Sequence, residues 1–484
     1  MRQLTRALDF STLFFWAVLL FLLPITSMPA VRDLLHTSVV AGPSVLALAG
    51  LLLVGFLPYA IKGGDIPRTV LPLVGFFLAC LFSINLSEFI QIPTFKDAGN
   101  IRSTLSALFT LLVGIGFLLV TYSQITSERA FFLALRWIYA GGAVMILWSI
   151  LQSSVWFADA RYPAWMRDLQ DVFSLGPLYR QRAAGFALEP SWLAHMLNML
   201  YLPVWLSSVY SGYSAFTLRI FKRISIEMIL LALGGLVLVL TFSRVGWITF
   251  AFMAAFLITL GNIRLVRWIQ GRFKVSPGKK VILTIGISCL LIIAYLAILI
   301  VAAYGMSRFD PRMKDIFSAQ FWQLNNMNRY ANALQFGERV VYWQAGWEVF
   351  NRYPLAGVGL GNAGKWFAET IPAYGVNLIE VRRLLYRTSE IPNIKNLWIR
   401  ILAETGIIGF AFFSAWIFSL GKKASVLRQS ASPIYKMLGY LGIFVIIGIL
   451  LEGFSIDSFA LPYFWISAGL VLSSGRIKRT SNSI

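Results

Sequence analysis

Apolar runs long enough to cross a bilayer recur along this chain from Ser11 to Leu472, and they constrain its fold more than any other feature. A helix rises about 1.5 Å per residue, so a run of about 20 residues crosses a hydrocarbon core about 30 Å thick. That core holds no water to bind backbone amides, so each run has to close its own hydrogen bonds as a helix. The alternating strands of an outer-membrane barrel are absent. Composition agrees: 58% of the 484 residues are hydrophobic and 13% are charged, whereas soluble domains carry roughly 25% charged residues. A soluble enzyme is excluded, and the expected fold is an all-α polytopic transmembrane bundle. Twelve spans are expected, at about 11–28, 39–60, 70–89, 104–122, 131–157, 192–210, 226–242, 245–261, 281–304, 397–420, 437–453 and 459–472. The first run has the look of a signal sequence, but the runs that follow make it the first span.

The chain carries 42 Lys+Arg against 21 Asp+Glu. In a soluble protein such an excess would suggest nucleic acid. Here the basic residues gather in short loops, where they set orientation and meet anionic lipid headgroups, so membrane lipids are the expected partner and nucleic acid is not. Arg219, Lys222 and Arg223 share one loop, Arg264 to Lys280 another, and Lys422 to Lys436 a third. With twelve spans all three fall on the side of the N-terminus and of the basic tail at Arg476, Lys478 and Arg479. The positive-inside rule makes that side cytoplasmic. Cys80 and Cys289 lie within apolar runs, and His36 and His195 are the only histidines. Neither a disulfide framework nor a zinc cluster is available, and no cofactor is expected.

Two outward segments exceed ordinary connectors, 158–190 and 305–396. The longer one is expected to be a periplasmic cap within a single integral membrane domain spanning 1–484. Residues 338–351 in it read as an amphipathic helix ending before Pro354.

Charged residues near the outer face are the candidate site. A single helix from 226 to 261 would be far longer than a bilayer is thick, so the chain must fold back at Thr241-Phe242-Ser243-Arg244. Arg244 then either snorkels to lipid phosphate or holds an anionic ligand with its guanidinium fork. Arg180 and Arg182 precede Gly185 and Glu189-Pro190. Glu189 is either a helix cap or a carboxylate beside arginines, able to act as a base. His195 reads as a packed polar residue. Lys395 and Asn396 open the tenth span, where snorkelling and ligand binding compete for Lys395. Arg400 and Glu404 are spaced to pair within a helix. Gly357-Val358-Gly359-Leu360-Gly361 mimics a dinucleotide fingerprint without the strand-turn-helix around it, and is expected to form a tight turn or a backbone nest for an anion. Neither a P-loop nor a serine-nucleophile motif is present.

Taken in order, these residues resemble the bacterial O-antigen ligase and polymerase family. The resemblance rests on Arg182 with Gly185 and Glu189-Pro190, on Thr241-Phe242-Ser243-Arg244, on Glu338-Arg339 through Trp343 with Pro354 to Asn362, and on Asn396-Leu397-Trp398 through Ala403-Glu404-Thr405-Gly406 to Gly409. It covers about 182–410. It implies a metal-independent, inverting glycosyltransferase on the periplasmic face of the inner membrane, with both termini cytoplasmic. The implied donor is a glycan on undecaprenyl pyrophosphate, the acceptor a glycan or lipid A-core, and other polysaccharide-assembly proteins are implied partners. On this resemblance Arg182 and Arg244 hold pyrophosphate, Arg339 the phosphate or sugar, and Glu189 the acceptor hydroxyl. Lys395 joins the catalytic set, while Arg180, Asn396 and Tyr342 are further contacts to donor or glycan. Ligases of the family carry a histidine before the asparagine at position 396. This chain has Lys395, which tilts the expectation toward a polymerase of O-antigen or exopolysaccharide. A ligase acting on lipid A-core is the alternative. A transporter of an anion or a lipid-linked glycan is a reading from another class, and a scaffold role is a fourth.

Overall fold

A computed structural model describes residues 2–36, 41–95, 99–221, 223–272, 277–308, 336–387 and 391–481. The described residues are overwhelmingly helical. The strands among them are the two-residue pair Arg219–Ile220 and Ile224–Ser225, antiparallel with Arg219 opposite Ser225.

Eight described helices are long and apolar enough to cross a membrane: Pro43–Ile61, Arg68–Ser87, Ile101–Gln124, Glu128–Asp159, Arg244–Arg272, Lys279–Gly305, Leu397–Arg428 and Pro433–Glu452. The expected count of twelve is not reached on this measure. The other four expected segments are helical but short or divided. Phe10–Phe21 and Ile226–Leu240 are shorter apolar helices. Pro462–Leu472 has 11 residues, all of them buried. Residues 190–211 are divided by a π-helical turn at Leu197–Tyr201. Length must match lipid thickness only where a helix faces lipid. A helix wrapped by protein can hand over to irregular backbone whose polar groups find protein partners.

The largest core cluster forms around these inner helices, with Trp205, Tyr201, Trp416, Phe413 and Trp465 among its buried residues. Pro433–Glu452 packs on Leu397–Arg428, on 202–211 and on Arg244–Arg272, while Pro462–Leu472 packs on Asn100–Gln124. At the periphery Pro277–Ser307 packs on Arg244–Arg272, and no residue of its apolar window is buried.

The bundle has two chemically different ends. At one, Arg136 Nε donates to the Ala215 carbonyl, Arg476 Nη1 donates to the Tyr122 and Ser123 carbonyls, and Lys423 Nζ donates to the Leu472 carbonyl. The turn around Arg219, the second half of Arg244–Arg272 with Arg264, and the helix end at Arg428 belong to this end. The other end gathers the loop before Pro190, the fold-back at 241–243, the start of Leu397–Arg428 and the loop after Glu452. The described part of the cap sits there as Gly337–Arg352, short 3-10 turns and Ile379–Tyr386. Residues 309–335 and 388–390 of the expected cap lie outside the described residues.

Leu397–Arg428 is kinked at Gly406, which takes φ 64° and ψ −167°. The kink frees two amides and two carbonyls, and the glycine motif of the cap takes up all four. Ile407 N and Ile408 N donate to the Pro354 and Leu355 carbonyls at 2.9 and 3.4 Å; Val358 N and Gly359 N donate to the Ala403 and Glu404 carbonyls at 3.0 and 3.1 Å. Such a break is tolerated at membrane depth because its polar groups are satisfied again. A Cβ on Gly406 would lie 2.1 Å from the Leu355 carbonyl oxygen, and one on Gly357 would lie 2.4 Å from the Glu404 backbone. The glycines therefore form a tight turn that clasps a helix, and the amides of 357, 358 and 359 point into protein rather than outward to an anion.

Candidate active site

The loop before Pro190 is anchored from below by two glutamines that packing has buried. Gln152 Oε1 accepts from Ala184 N and Gly185 N at 3.3 and 3.0 Å, and its Nε2 donates to the Gly185 carbonyl at 3.0 Å. Gln170 Nε2 donates to the carbonyls of Gly176 and Gly185. Gly185 sits at φ 58° with Ser149 Oγ only 3.0 Å from where a Cβ would stand. This scaffold carries Arg182, whose Nε donates to the Thr241 carbonyl at 2.9 Å, while Ala183 N donates to the Leu240 carbonyl at 2.9 Å. Arg182 is thus seated on the fold-back that precedes Arg244.

Each residue of that fold-back has a local reason. Thr241 Oγ1 donates to the Leu238 carbonyl and accepts from Ser243 N. Phe242 turns the chain at φ 50°. Ser243 Oγ accepts from Gly246 N at 3.4 Å. Arg244 begins the helix Arg244–Arg272 and is half-buried. A cation at a helix N-terminus adds to the positive end of the dipole, where an anion is favoured. Arg180, two residues before Arg182, is exposed.

Glu189 precedes Pro190–Met196, yet its side chain makes no capping bond. Its carboxylate is exposed and accepts from Ser191 Oγ at 3.0 Å. It lies close enough to Tyr179 to add to the upward push that burial gives the phenol, against the opposing charge of Arg182. It also reaches Arg339. Burial works to lower the Arg339 pKa, and the charges of Glu189, Glu380, Asp457 and Glu452 oppose it. Arg339 Nη1 donates to the Ser455 carbonyl at 2.9 Å. Arg339 therefore ties the cap to the loop after Glu452, with carboxylates of both site halves around it.

Lys395 takes φ 53°, with its amide on Asp457 Oδ2 at 2.9 Å. Its ammonium pairs with Glu380 and lies 4.4 Å above the Tyr342 ring. The Tyr342 hydroxyl donates to the same Glu380 oxygen at 2.9 Å. Glu380 is in turn hydrogen-bonded to Glu338. Asn396 is fully buried, and its Oδ1 accepts from Trp398 N and Ile399 N as the N-cap of Leu397–Arg428. Arg400 pairs with Glu404 at 3.0 Å, the intrahelical pairing expected from spacing, and its Nη1 donates to the Asp457 carbonyl. His195 is buried with Nδ1 3.8 Å from Glu452 Oε2, and Asn198 Nδ2 donates to Glu452 Oε1 at 2.7 Å. It is a packed polar residue.

All eight expected site residues lie at one end of the bundle in two adjoining groups. Arg182 and Arg244 flank the fold-back, with Arg180 two residues before Arg182 in the chain; Arg339, Tyr342, Lys395 and Asn396 belong to the cap and the helix start, with Glu189 between. Three non-glycine residues beside the cations, Gln181, Phe242 and Lys395 itself, have left-handed backbone. Such conformations cost about 1–3 kcal/mol each and persist where surrounding structure over-determines them. Sequence reasoning missed Glu380, Asp457 and Glu452 as site groups and did not pair Glu338 with anything. Glu380 and Asp457 stand in no motif, so only the fold could reveal them.

Residues 229–414 match the family model described as O-antigen ligase. This stretch is similar to an O-antigen ligase domain. That domain contains Arg244, Arg339, Tyr342, Lys395 and Asn396, while Arg180, Arg182 and Glu189 lie upstream of the matched residues and reach the domain through the Arg182–Thr241 bond. O-antigen ligase family members are ligases or polymerases of the glycosyltransferase kind, and the family implies a lipid-linked glycan donor with a glycan or lipid A-core acceptor. The eight described apolar helices of spanning length fit an integral membrane protein. No curated protein matches the chain.

Proposed function

We propose that the protein transfers a glycan from undecaprenyl pyrophosphate to the growing end of another glycan, as a polymerase of O-antigen or exopolysaccharide at the periplasmic face of the inner membrane. The observation that carries this reading is the seating of Arg182 on the fold-back that presents Arg244 from a helix N-terminus. Two guanidinium groups and a positive helix end suit a pyrophosphate, whose charge grows as the bond to the anomeric carbon breaks. Preorganised cations stabilise such charge as it develops, without a cofactor. Arg180 and Arg339 supply further positive charge toward the donor phosphates and sugar. Glu189, between the two groups, orients Arg339 and the acceptor. Tyr342 and Asn396 frame the acceptor side. Attack from the cap side on a donor held at the fold-back would invert the anomeric centre.

The orientation follows from the basic loops at the end remote from these residues. On the positive-inside rule that end is cytoplasmic, along with both termini.

Purified protein given an undecaprenyl-pyrophosphate-linked repeat unit alone should produce a ladder of longer glycans with release of undecaprenyl pyrophosphate. The second reading is a ligase, favoured by the description of the matched family. It requires silence until lipid A-core is added. Silence with both acceptors, with donor moved across a vesicle instead, would overturn transfer in favour of transport.

A further inference from the structure

Outside the arginine groups, two acidic side chains meet in the cap with no salt-bridge need for both. Val341, Tyr342, Ala345, Phe367 and Val381 form one buried cluster that packs Gly337–Arg352 against Ile379–Tyr386. That packing brings Glu338, on the first turn of one helix, to Glu380, near the start of the other, where the two carboxyls share a hydrogen bond. Glu380 also receives the Lys395 ammonium and the Tyr342 hydroxyl. Three donors, one of them the Lys395 cation, thus converge on Glu380 and favour its ionised form. Glu338 has that anion as its neighbour, which together with burial pushes its carboxyl upward.

We propose that Glu338 takes the proton from the attacking acceptor hydroxyl, and that Glu380, fixed by Lys395 and Tyr342, positions Glu338 and tunes its basicity. The inference rests on the glycosyl-transfer reading above. In the step, the acceptor oxygen bonds to the anomeric carbon and the bond from that carbon to the phosphate oxygen breaks. The electron pair of that bond leaves with undecaprenyl pyrophosphate beside Arg182 and Arg244. The hydroxyl proton passes to the Glu338 carboxylate and then to solvent. Lys395 in this arrangement is a positioning residue, since its ammonium is engaged by a carboxylate.

The basicity fits. Burial, then the hydrogen bond and charge of Glu380, raise the Glu338 carboxyl to about 7, with Lys395 opposing. A base poised near the working pH is the effective one. The charged and titratable groups facing Glu338 are Glu380, Lys395 and Tyr342. Arg339, next along its helix, turns to Ser455, and Glu369 from the packed turn 367–370 is held by Arg352 at 3.6 Å.

The test follows transfer by the reconstituted full chain, with undecaprenyl-pyrophosphate-linked repeat unit as donor and as acceptor and with lipid A-core as a second acceptor, across pH 5 to 9. Wild type should lose kcat on the acid side with a midpoint near pH 7. Glu338→Gln should lower kcat by about 100-fold or more while donor KM stays within about threefold. Glu380→Gln should move the acid limb to lower pH, because a like charge has been removed. A Glu338→Gln protein within tenfold of wild type, or an acid limb unmoved in Glu380→Gln, overturns the proposal even if one variant folds poorly. A wild type inactive with both acceptors overturns the transfer reading and this inference together. Active wild type with active Glu338→Gln overturns the inference alone.

Discussion

Cations in this site are held, not merely present. Arg182 is fixed through Nε to the Thr241 carbonyl, so its guanidinium is held on the fold-back that precedes Arg244. Arg182→Ala and Arg244→Ala are each expected to lower glycan transfer by about 100-fold or more, the usual cost of deleting a charge-stabilising donor, with membrane insertion and thermal midpoint nearly unchanged. Product formation and melting in detergent check this; full activity in both variants would sink the assignment. The acidic pair gives the cap a pH window. Glu338 is raised from 4.5 to about 7, so its folded form binds the proton more tightly, and that stabilisation is complete below 4.5 and lost as pH rises through 7. At Glu380 burial would raise the carboxyl, but the hydrogen bonds from Glu338 and Lys395, the Lys395 charge and the Tyr342 hydroxyl hold it at about 2. Its contribution is therefore complete above 4.5 and lost as pH falls toward 2. The melting temperature should be lower at pH 8.5 than at pH 5.5, and Glu338→Gln should erase that difference.

Elements here are joined by exchange of backbone hydrogen bonds. The kink at Gly406 and the turn at 354–359 each supply what the other lacks, so neither is a self-sufficient structure. Gly406→Ala would force a Cβ against the Leu355 carbonyl at positive φ. We expect it to destabilise by about 2 kcal/mol or more and to loosen the cap, read as faster proteolysis within 355–387. Asn396→Ala removes the N-cap of the same helix and should cost about 1 kcal/mol. A loss of transfer without a loss of melting temperature in Asn396→Ala would instead assign that side chain to the substrate.

At the scale of the whole molecule, orientation is the property most open to test. In a chain with Cys80→Ala and Cys289→Ala, a cysteine at exposed Leu355 should react with a membrane-impermeant thiol reagent applied from outside the inner membrane. One in the loop 429–432 should not, and the reverse pattern would invert the topology. Spanning helices, the fold-back at 241–244, the amphipathic helix of the cap and the Arg400–Glu404 pairing were all legible beforehand. Apolar run length and charge spacing act locally, and bilayer thickness converts them directly into structure. Span count was not legible to the same degree, because 462–472 is enclosed by protein and escapes the length rule. Nor was the meaning of the glycines, which depends on a helix break some fifty positions later in the chain. The sequence by itself therefore determined a helical chain of spanning apolar runs with cations at its turns and an O-antigen ligase-like order of motifs. Only the tertiary structure decided which carboxylates those cations meet. Glu338, Glu380 and Lys395 belong to separate segments, and the packing of two cap helices brings them to one point.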